Sequence, residues 1–171
     1  MCGIAGILLN KSNKKLIEKF QKISDDLSHR GPDSSSFYKN SKNLFLHTRL
    51  SIIDLKGGNQ PIINNDLILI ANGEIYNDPE IRSFYKTYNF KTESDSESIM
   101  TLYDREGING LEKLRGMYAF AIYDKKKNCT VLGRDIFGIK PLYFSIIKDG
   151  IIFSSEITPL INSNLIKKKN F

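Results

Sequence analysis

Cys2 is the residue whose type and position point most directly to covalent chemistry. A small residue after Met1 permits removal of that methionine, which would leave a cysteine with a free α-amine. This amine has an ordinary pKa of about 7.7–8.0, so near neutrality it can accept the proton of its own thiol, directly or through a water. The other interpretation is a small buried cysteine at the start of a strand. Position alone favours that second interpretation.

Asn72-Gly73 is the second candidate, and it has two compatible interpretations. The dipeptide is typical of a type I′ hairpin turn, here between a strand over residues 67–71 and Glu74-Ile75-Tyr76. A tight turn would also hold a side-chain amide and a backbone N–H rigidly against a developing oxyanion. Taken alone, the dipeptide favours the simple turn.

Two charged residues could bind the charged ends of an amino acid. Arg49 could hold an α-carboxylate in a bidentate fork, although alone it is typical of an exposed strand arginine in a weak ion pair. Asp95 could bind an α-ammonium, or only complement a helix dipole. With Cys2 attacking a side-chain carbonyl and residues 72–73 holding the oxyanion, these residues would form a site for an amino-acid amide. Their spacing does not establish that they meet. We interpret His47 as a packing or hydrogen-bonding residue.

The elements that must position these residues are strands, then helices, then strands. Alternation and turn signals predict strands over residues 2–9, 44–50, 67–71, 117–124, 129–135, 142–147 and 151–154. Helical spacing predicts helices over residues 15–28, residues 79–88, and a third that follows the capping-box sequence SDSE at 94–97 and ends at Gly107. Turns are expected at residues 125–128 and 148–150. This order favours an α+β fold with antiparallel sheets over repeated βαβ units.

Composition excludes several classes of protein. The chain has 171 residues, of which 40% are hydrophobic and 26% charged, which is ordinary for a globular domain. Its longest apolar run, residues 117–123, is far shorter than the roughly 20 residues of a membrane-spanning helix. The formal net charge of +6 is matched by two lysine triplets, at 125–127 and 167–169, so we expect no nucleic-acid surface. Two cysteines without a CxxC pair and two histidines predict neither a disulfide framework nor a metal site.

A series of motifs resembles the class II glutamine amidotransferases, and within them the glutamine-hydrolysing asparagine synthases. The main motifs are CGIAGIL at 2–8, RGPD at 30–33, HTRLSIIDL at 47–55 and NGEIYN at 72–77. Further motifs are GNQPI at 58–62, SDSE at 94–97, GMYAFAIYD at 116–124, RDIFGIKPLYF at 134–144 and FSSEI at 153–157. They follow the family's order to about residue 160.

The resemblance implies an N-terminal nucleophile hydrolase fold, a four-layer αββα sandwich of antiparallel sheets. It also implies that Cys2 is the nucleophile once Met1 is lost, and that Asn72 and Gly73 are the oxyanion donors. Asp95 lies where the family holds the substrate ammonium. The residues expected to bind glutamine are Arg49, Leu50, Ser51, Ile52, Ile53, Asn72, Gly73, Glu74 and Asp95.

The resemblance further predicts the domain organisation and the partners. Residues 1–160 are expected to form a type-2 glutamine amidotransferase domain, and residues 161–171 a basic tail or the truncated start of a linker. The family's pyrophosphate loop of the SGG-D-S type does not occur in these 171 residues. We therefore expect glutaminase activity without a cofactor, with ATP and Mg²⁺ used only by a synthetase domain or subunit absent from this chain. That partner would convert aspartate to asparagine with the ammonia. We expect a cytoplasmic protein with no membrane partner, and a homodimer stays open.

Two alternatives remain at this point. The chain could be an amidotransferase subunit that feeds ammonia to a different acceptor, such as a sugar. It could also be an inactive, truncated module that recognises glutamine or docks onto a partner. The intact set of site residues argues against the inactive module, and a mass measurement of the N-terminus would test it. The neighbouring coding sequence would identify the acceptor.

Overall fold

The computed structural model describes residues 1–50 and 58–166, and the chain divides into two units. In the described part, the first unit holds residues 1–50 and 141–166, and the second holds residues 58–140. The strands are β1 (Gly3–Leu9), β2 (Ser34–Lys39), β3 (Asn43–Arg49), β4 (Ile62–Asn64), β5 (Leu67–Ile75), β6 (Gly116–Asp124), β7 (Cys129–Arg134), β8 (Tyr143–Ile147) and β9 (Gly150–Ser154). The α-helices are α1 (Lys14–Gln21), α2 (Asp78–Phe84), α3 (Glu97–Glu106) and α4 (Ile157–Asn162), and 3-10 helices cover Lys22–Leu27 and Gly107–Lys113.

The sheet of the first unit has the strand order β2-β3-β1-β9-β8, so β1 is its central strand. β1 runs antiparallel to β3, with Gly3 opposite Thr48, and antiparallel to β9, with Ala5 opposite Ser154. All seven residues of β3 are buried. The strand that follows Cys2 is therefore held on both edges.

The sheet of the second unit has the order β4-β5-β6-β7, again antiparallel. β5 pairs with β6 over its whole length, from Leu67 opposite Asp124 to Ile75 opposite Gly116. The turn predicted at Asn72-Gly73 is therefore wrong, because both residues lie inside β5. Neither belongs to the residues with positive φ, which a type I′ turn requires at both positions.

Each unit has its own hydrophobic core. The core of the first unit contains Ala5, Ile7, Leu9, Ile17, Phe20, Ile23, Leu27, Leu44, Leu46, Ile152 and Leu160. The core of the second unit contains Ile62, Leu67, Leu69, Ala71, Ile75, Ile81, Ile99, Met100, Leu102, Tyr103, Leu114, Phe120 and Ile122. The α+β class with antiparallel sheets is confirmed. In the residues that the structure describes, no helix combines the length and apolar character needed to cross a membrane.

The predicted helices exist but differ in extent. The helix predicted over 15–28 is α1 followed by a 3-10 helix, which keeps Ile23 and Leu27 buried at the tighter spacing. α2 ends at Phe84, four residues before the predicted end. The predicted end of α3 at Gly107 is confirmed, where the backbone takes a positive φ of 71°.

Candidate active site

Cys2 lies immediately before the central strand β1 and is partly buried. Its Sγ accepts a hydrogen bond from the Leu50 N–H at 3.4 Å and donates to the Leu50 carbonyl oxygen at 3.6 Å. The sheet thus brings the predicted nucleophile to the residue after β3. Leu50 is one of the residues predicted to bind glutamine, and it directly follows Arg49.

Arg49 ends β3 and is only 7% exposed. The alternative of an exposed strand arginine is therefore wrong. Its carbonyl oxygen accepts a hydrogen bond from the Asp33 N–H at 3.0 Å. A Cβ on Gly31 would meet the backbone of Thr48 and Arg49, so glycine allows the RGPD segment to pack against the end of β3. The binding role of Arg49 stays a prediction.

Asn72 lies in β5 and is 3% exposed. Its Nδ2 is buried and has no hydrogen-bond partner among residues 1–50 and 58–166. A buried donor left unpaired costs about 1–3 kcal/mol, and a catalytic role is one explanation for such a group. This feature is what a donor to a transient oxyanion requires.

Gly73 and Glu74 follow on the same strand and are exposed. A Cβ on Gly73 would meet the Met117 carbonyl oxygen and the backbone of Tyr118 on β6. Glycine is therefore needed here for the close approach of the neighbouring strand.

Asp95 lies close to the end of this strand. Its Oδ2 accepts a hydrogen bond from the Ile75 N–H at 2.6 Å, and the residue is 9% exposed. Burial raises the pKa of the Asp95 carboxyl above its ordinary value, and the hydrogen bond from Ile75 opposes the shift only in part. A substrate ammonium beside this carboxylate would offset the cost of its burial. The second unit thus brings Asp95 together with the strand that carries Asn72, Gly73 and Glu74.

Glu97 positions the segment before Asp95 in a way the sequence did not predict. The motif SDSE suggested a capping box, but the N-cap Ser96 makes no side-chain capping bond. Instead, the Glu97 carboxylate accepts hydrogen bonds from the N–H groups of Lys91 and Thr92, each at 2.8 Å. The Arg82 guanidinium donates to the Ser94 carbonyl oxygen at 2.8 Å.

Ser51, Ile52 and Ile53 lie outside the described residues, so their predicted contacts with glutamine stay predictions. Within the described ranges, no group of three or more His, Cys, Asp or Glu side chains is arranged to hold a metal ion. Sequence reasoning gave no role to Arg30, which bonds the Cys2 carbonyl oxygen, or to Glu156, which pairs with Arg30. The motifs RGPD and FSSEI contain them and were the available signal.

The chain is similar in sequence to a known protein family and to several characterised proteins. The glutamine amidotransferase domain family matches residues 1–170. The chain is 41% identical over 167 residues to asparagine synthetase [glutamine-hydrolyzing] 2 of Bacillus subtilis, covering 95% of this chain and 22% of that protein. It is 40% identical to asparagine synthetase B [glutamine-hydrolyzing] of Escherichia coli, covering 94% of this chain and 30% of the relative. The chain thus spans less than a third of the length of these relatives.

Solved structures show a similar fold. One is the glutamine phosphoribosylpyrophosphate amidotransferase of B. subtilis complexed with ADP and GMP, with a TM-score of 0.74 at 20% identity, covering 95% of this chain and 44% of that one. Another, described as the allosteric regulatory enzyme of purine biosynthesis, has a TM-score of 0.72 at 22% identity, covering 95% of this chain and 43% of that one. At such identities the likeness concerns the fold, which is the N-terminal nucleophile hydrolase fold that the motifs predicted.

Proposed function

Because this chain belongs to the glutamine amidotransferase domain family, we propose that it hydrolyses glutamine to glutamate and ammonia. The chain is homologous to the glutamine-hydrolysing asparagine synthetases, which supports this substrate. The observation that carries the proposal is the Nδ2 of Asn72, a buried donor without an acceptor in the described part of the chain. The oxyanion formed when a carboxamide is attacked would supply that acceptor.

The reaction would proceed in two steps. After loss of Met1, the α-amine of Cys2 takes the thiol proton, and the thiolate attacks the carboxamide carbon of glutamine. Asn72 Nδ2 and the Gly73 N–H stabilise the oxyanion, and the C–N bond breaks as ammonia leaves with the proton from the amine. Water then attacks the γ-glutamyl thioester, which releases glutamate and restores the thiol.

A glutaminase assay on the purified chain tests this proposal, with the N-terminal mass measured first. The chain that begins at Cys2 is expected to release glutamate and ammonia in equal amounts. A matched control carries a lysine inserted between Met1 and Cys2, which prevents removal of Met1 and is expected to be inactive. A folded chain that begins at Cys2 and releases no glutamate would contradict the proposal.

Arg49→Lys is expected to lower kcat/KM for glutamine about 10-fold, chiefly by raising KM. A lysine keeps the charge but cannot reproduce the two parallel hydrogen bonds of a guanidinium to a carboxylate. Steady-state kinetics check this result. Arg115→Lys serves as the control, because Arg115 is exposed. Equal kcat/KM in the Arg49→Lys and unsubstituted proteins would remove the carboxylate-binding role.

Asp95→Asn is expected to lower kcat/KM about 10- to 100-fold while making the substrate-free domain more stable at neutral pH. The asparagine oxygen can still accept from the Ile75 N–H, and the cost of burying a charge is removed. Because the pKa of Asp95 is raised in the fold, its contribution to stability is full below the unfolded pKa and is lost as pH rises through the folded pKa.

Thermal melts at about pH 4 and about pH 8 test the stability part. The melting temperature of Asp95→Asn should exceed that of the unsubstituted protein more at the higher pH. Asp66→Asn is the control, because Asp66 is a partly exposed carboxylate paired with Lys126. Unchanged kinetics in Asp95→Asn would refute the ammonium-binding role, whatever the melts show.

The ammonia is proposed to pass to a synthetase domain or subunit that amidates aspartate with ATP and Mg²⁺. The relatives' names support asparagine as the product, and the chain covers only 22% and 30% of two of them. Glutamine hydrolysis itself is proposed to need no cofactor, since the thiol and the amine of Cys2 supply both the nucleophile and the base. When this chain is mixed with the separately produced synthetase part, the mixture should convert aspartate to asparagine with glutamine as the nitrogen donor.

A further inference from the structure

Arg30 makes a hydrogen bond to the backbone of the proposed nucleophile. Its Nε donates to the Cys2 carbonyl oxygen at 3.1 Å. The Arg30 side chain is largely buried, with only 9% exposed. Cys2 precedes the first strand residue, Gly3, so the pairing of β1 does not itself fix this carbonyl.

Glu156 holds the Arg30 guanidinium in place. Its Oε1 accepts from Arg30 Nη1 at 2.9 Å and from His29 Nε2 at 2.9 Å. Burial raises the pKa of the Glu156 carboxyl, but the hydrogen bonds from Arg30 and His29 outweigh it and hold the pKa below its ordinary value. Glu156 is thus an anion near neutral pH, and the pair is a charge-assisted contact.

Ser155, which precedes Glu156, binds the backbone of Ile4, two residues after Cys2. The Ser155 N–H donates to the Ile4 carbonyl oxygen at 2.8 Å, and the Ile4 N–H donates to Ser155 Oγ at 3.0 Å. Both residues are fully buried. The segment after β9 therefore fixes Ile4 directly and Cys2 through Arg30.

We propose that Glu156 is a positioning residue that, through Arg30, orients the α-amine and thiol of Cys2 for attack on the substrate. This proposal rests on the glutaminase function proposed above. Removal of Met1 takes away the peptide bond that restrains Cys2 on its N-terminal side. Its orientation then depends on the contacts of its thiol with Leu50 and on the contact of its carbonyl oxygen with Arg30. A displacement of about 1 Å in a reacting group can cost about 100-fold in rate.

The kinetics of three Glu156 variants, each with the chain beginning at Cys2, test the proposal. Glu156→Ala is expected to lower kcat about 100-fold and to change KM less than about 3-fold, because Cys2 is displaced while the glutamine-binding residues stay. Glu156→Gln keeps an oxygen acceptor for Arg30 and should recover most of the lost kcat. Glu156→Asp keeps the charge but is one methylene shorter, so its kcat should fall between those of Glu156→Gln and Glu156→Ala.

His29→Ala is the matched control, because it removes the other partner of the same carboxylate. The His29 side chain is 61% exposed, and its loss leaves the Arg30–Glu156 contact intact. We expect kcat within about 2-fold of the unsubstituted value. Circular dichroism and thermal melts verify that each variant is folded at the assay temperature.

Three outcomes separate the positioning role from the function on which it rests. Full kcat in folded Glu156→Ala, or a raised KM with unchanged kcat, overturns the positioning role. If Glu156→Ala does not fold, Glu156→Asp decides: a lowered kcat at unchanged KM supports the role, and an unchanged kcat overturns it. An unsubstituted chain that begins at Cys2, is folded and releases no glutamate overturns the glutaminase function instead.

Discussion

Replacing Cys2 with alanine is expected to lower glutaminase activity by at least about 1000-fold, down to the level of the uncatalysed background. The proposed thioester forms on the Cys2 thiol, and loss of a covalent nucleophile has effects of this size or larger in other hydrolases. Alanine is also small enough to permit removal of Met1, so the new N-terminus still carries a free amine. The measurement is glutamate release by folded protein whose N-terminal mass has been verified.

Cys129→Ala is the matched control for this substitution. Cys129 is exposed at the start of β7, where its Sγ lies 3.9 Å from the hydroxyl of Tyr103. Its removal is expected to leave kcat and KM unchanged. Alkylation with iodoacetamide should inactivate Cys129→Ala, because the Cys2 thiol is still present. It should cause no further loss of activity in Cys2→Ala. Loss of activity in folded Cys129→Ala would show that the nucleophile has been assigned to the wrong thiol.

Asn72→Ala is expected to lower kcat by about 100- to 1000-fold and to raise KM much less. The Nδ2 donor acts chiefly on charge that develops in the transition state, and this is the usual cost of losing one oxyanion donor. Its stability effect should be small, because the deleted amide has a buried nitrogen with no hydrogen-bond partner in residues 1–50 and 58–166. Steady-state kinetics and a thermal melt on the same sample check both parts.

Asn64→Ala is the matched control for Asn72→Ala and is expected to change stability rather than activity. Asn64 is a second buried asparagine of the same sheet, 4% exposed, and its Nδ2 donates to the Tyr88 hydroxyl at 3.3 Å and to the Asn89 carbonyl oxygen at 3.1 Å. Its replacement should lower the melting temperature and leave kcat unchanged, since satisfied buried hydrogen bonds contribute about 1 kcal/mol each. If Asn72→Ala kept its fold and raised only KM, Asn72 would bind the ground state and the oxyanion role would be refuted.

Local sequence patterns predicted the β6–β7 hairpin correctly but predicted a turn wrongly at Asn72-Gly73. The hairpin between β6 and β7 follows from its turn, where Asn128 takes the positive φ of 49° that asparagine tolerates. Asn72-Gly73 has an equally strong turn preference, yet it lies in a strand. β6 pairs with all of β5, and the pairing of nine residues outweighs the preference of two.

The candidate site shows the same limit. The residue types of Cys2 and Arg49 were enough to predict a nucleophile and a carboxylate-binding group. The structure shows the Cys2 thiol hydrogen-bonded to Leu50, the residue after Arg49. The contact between Arg30 and Glu156 joins residues 126 positions apart, and no periodicity or spacing relates them. Helical and strand periods describe one element at a time, so contacts that depend on strand order cannot be read from them.

The central place of β1 determines when the reactive end of the chain can be completed during synthesis. β3 is made soon after β1, but Ser155, which holds Ile4, lies 151 residues further along the chain. At ordinary translation rates this separation corresponds to roughly 8 to 30 s. During that interval one edge of β1 has no neighbour, since β9 does not yet exist. Native contacts of such long range also slow folding itself. A nascent chain therefore carries its cysteine for many seconds before the elements that orient it have been made, and it becomes competent only when the last strand of the sheet is in place.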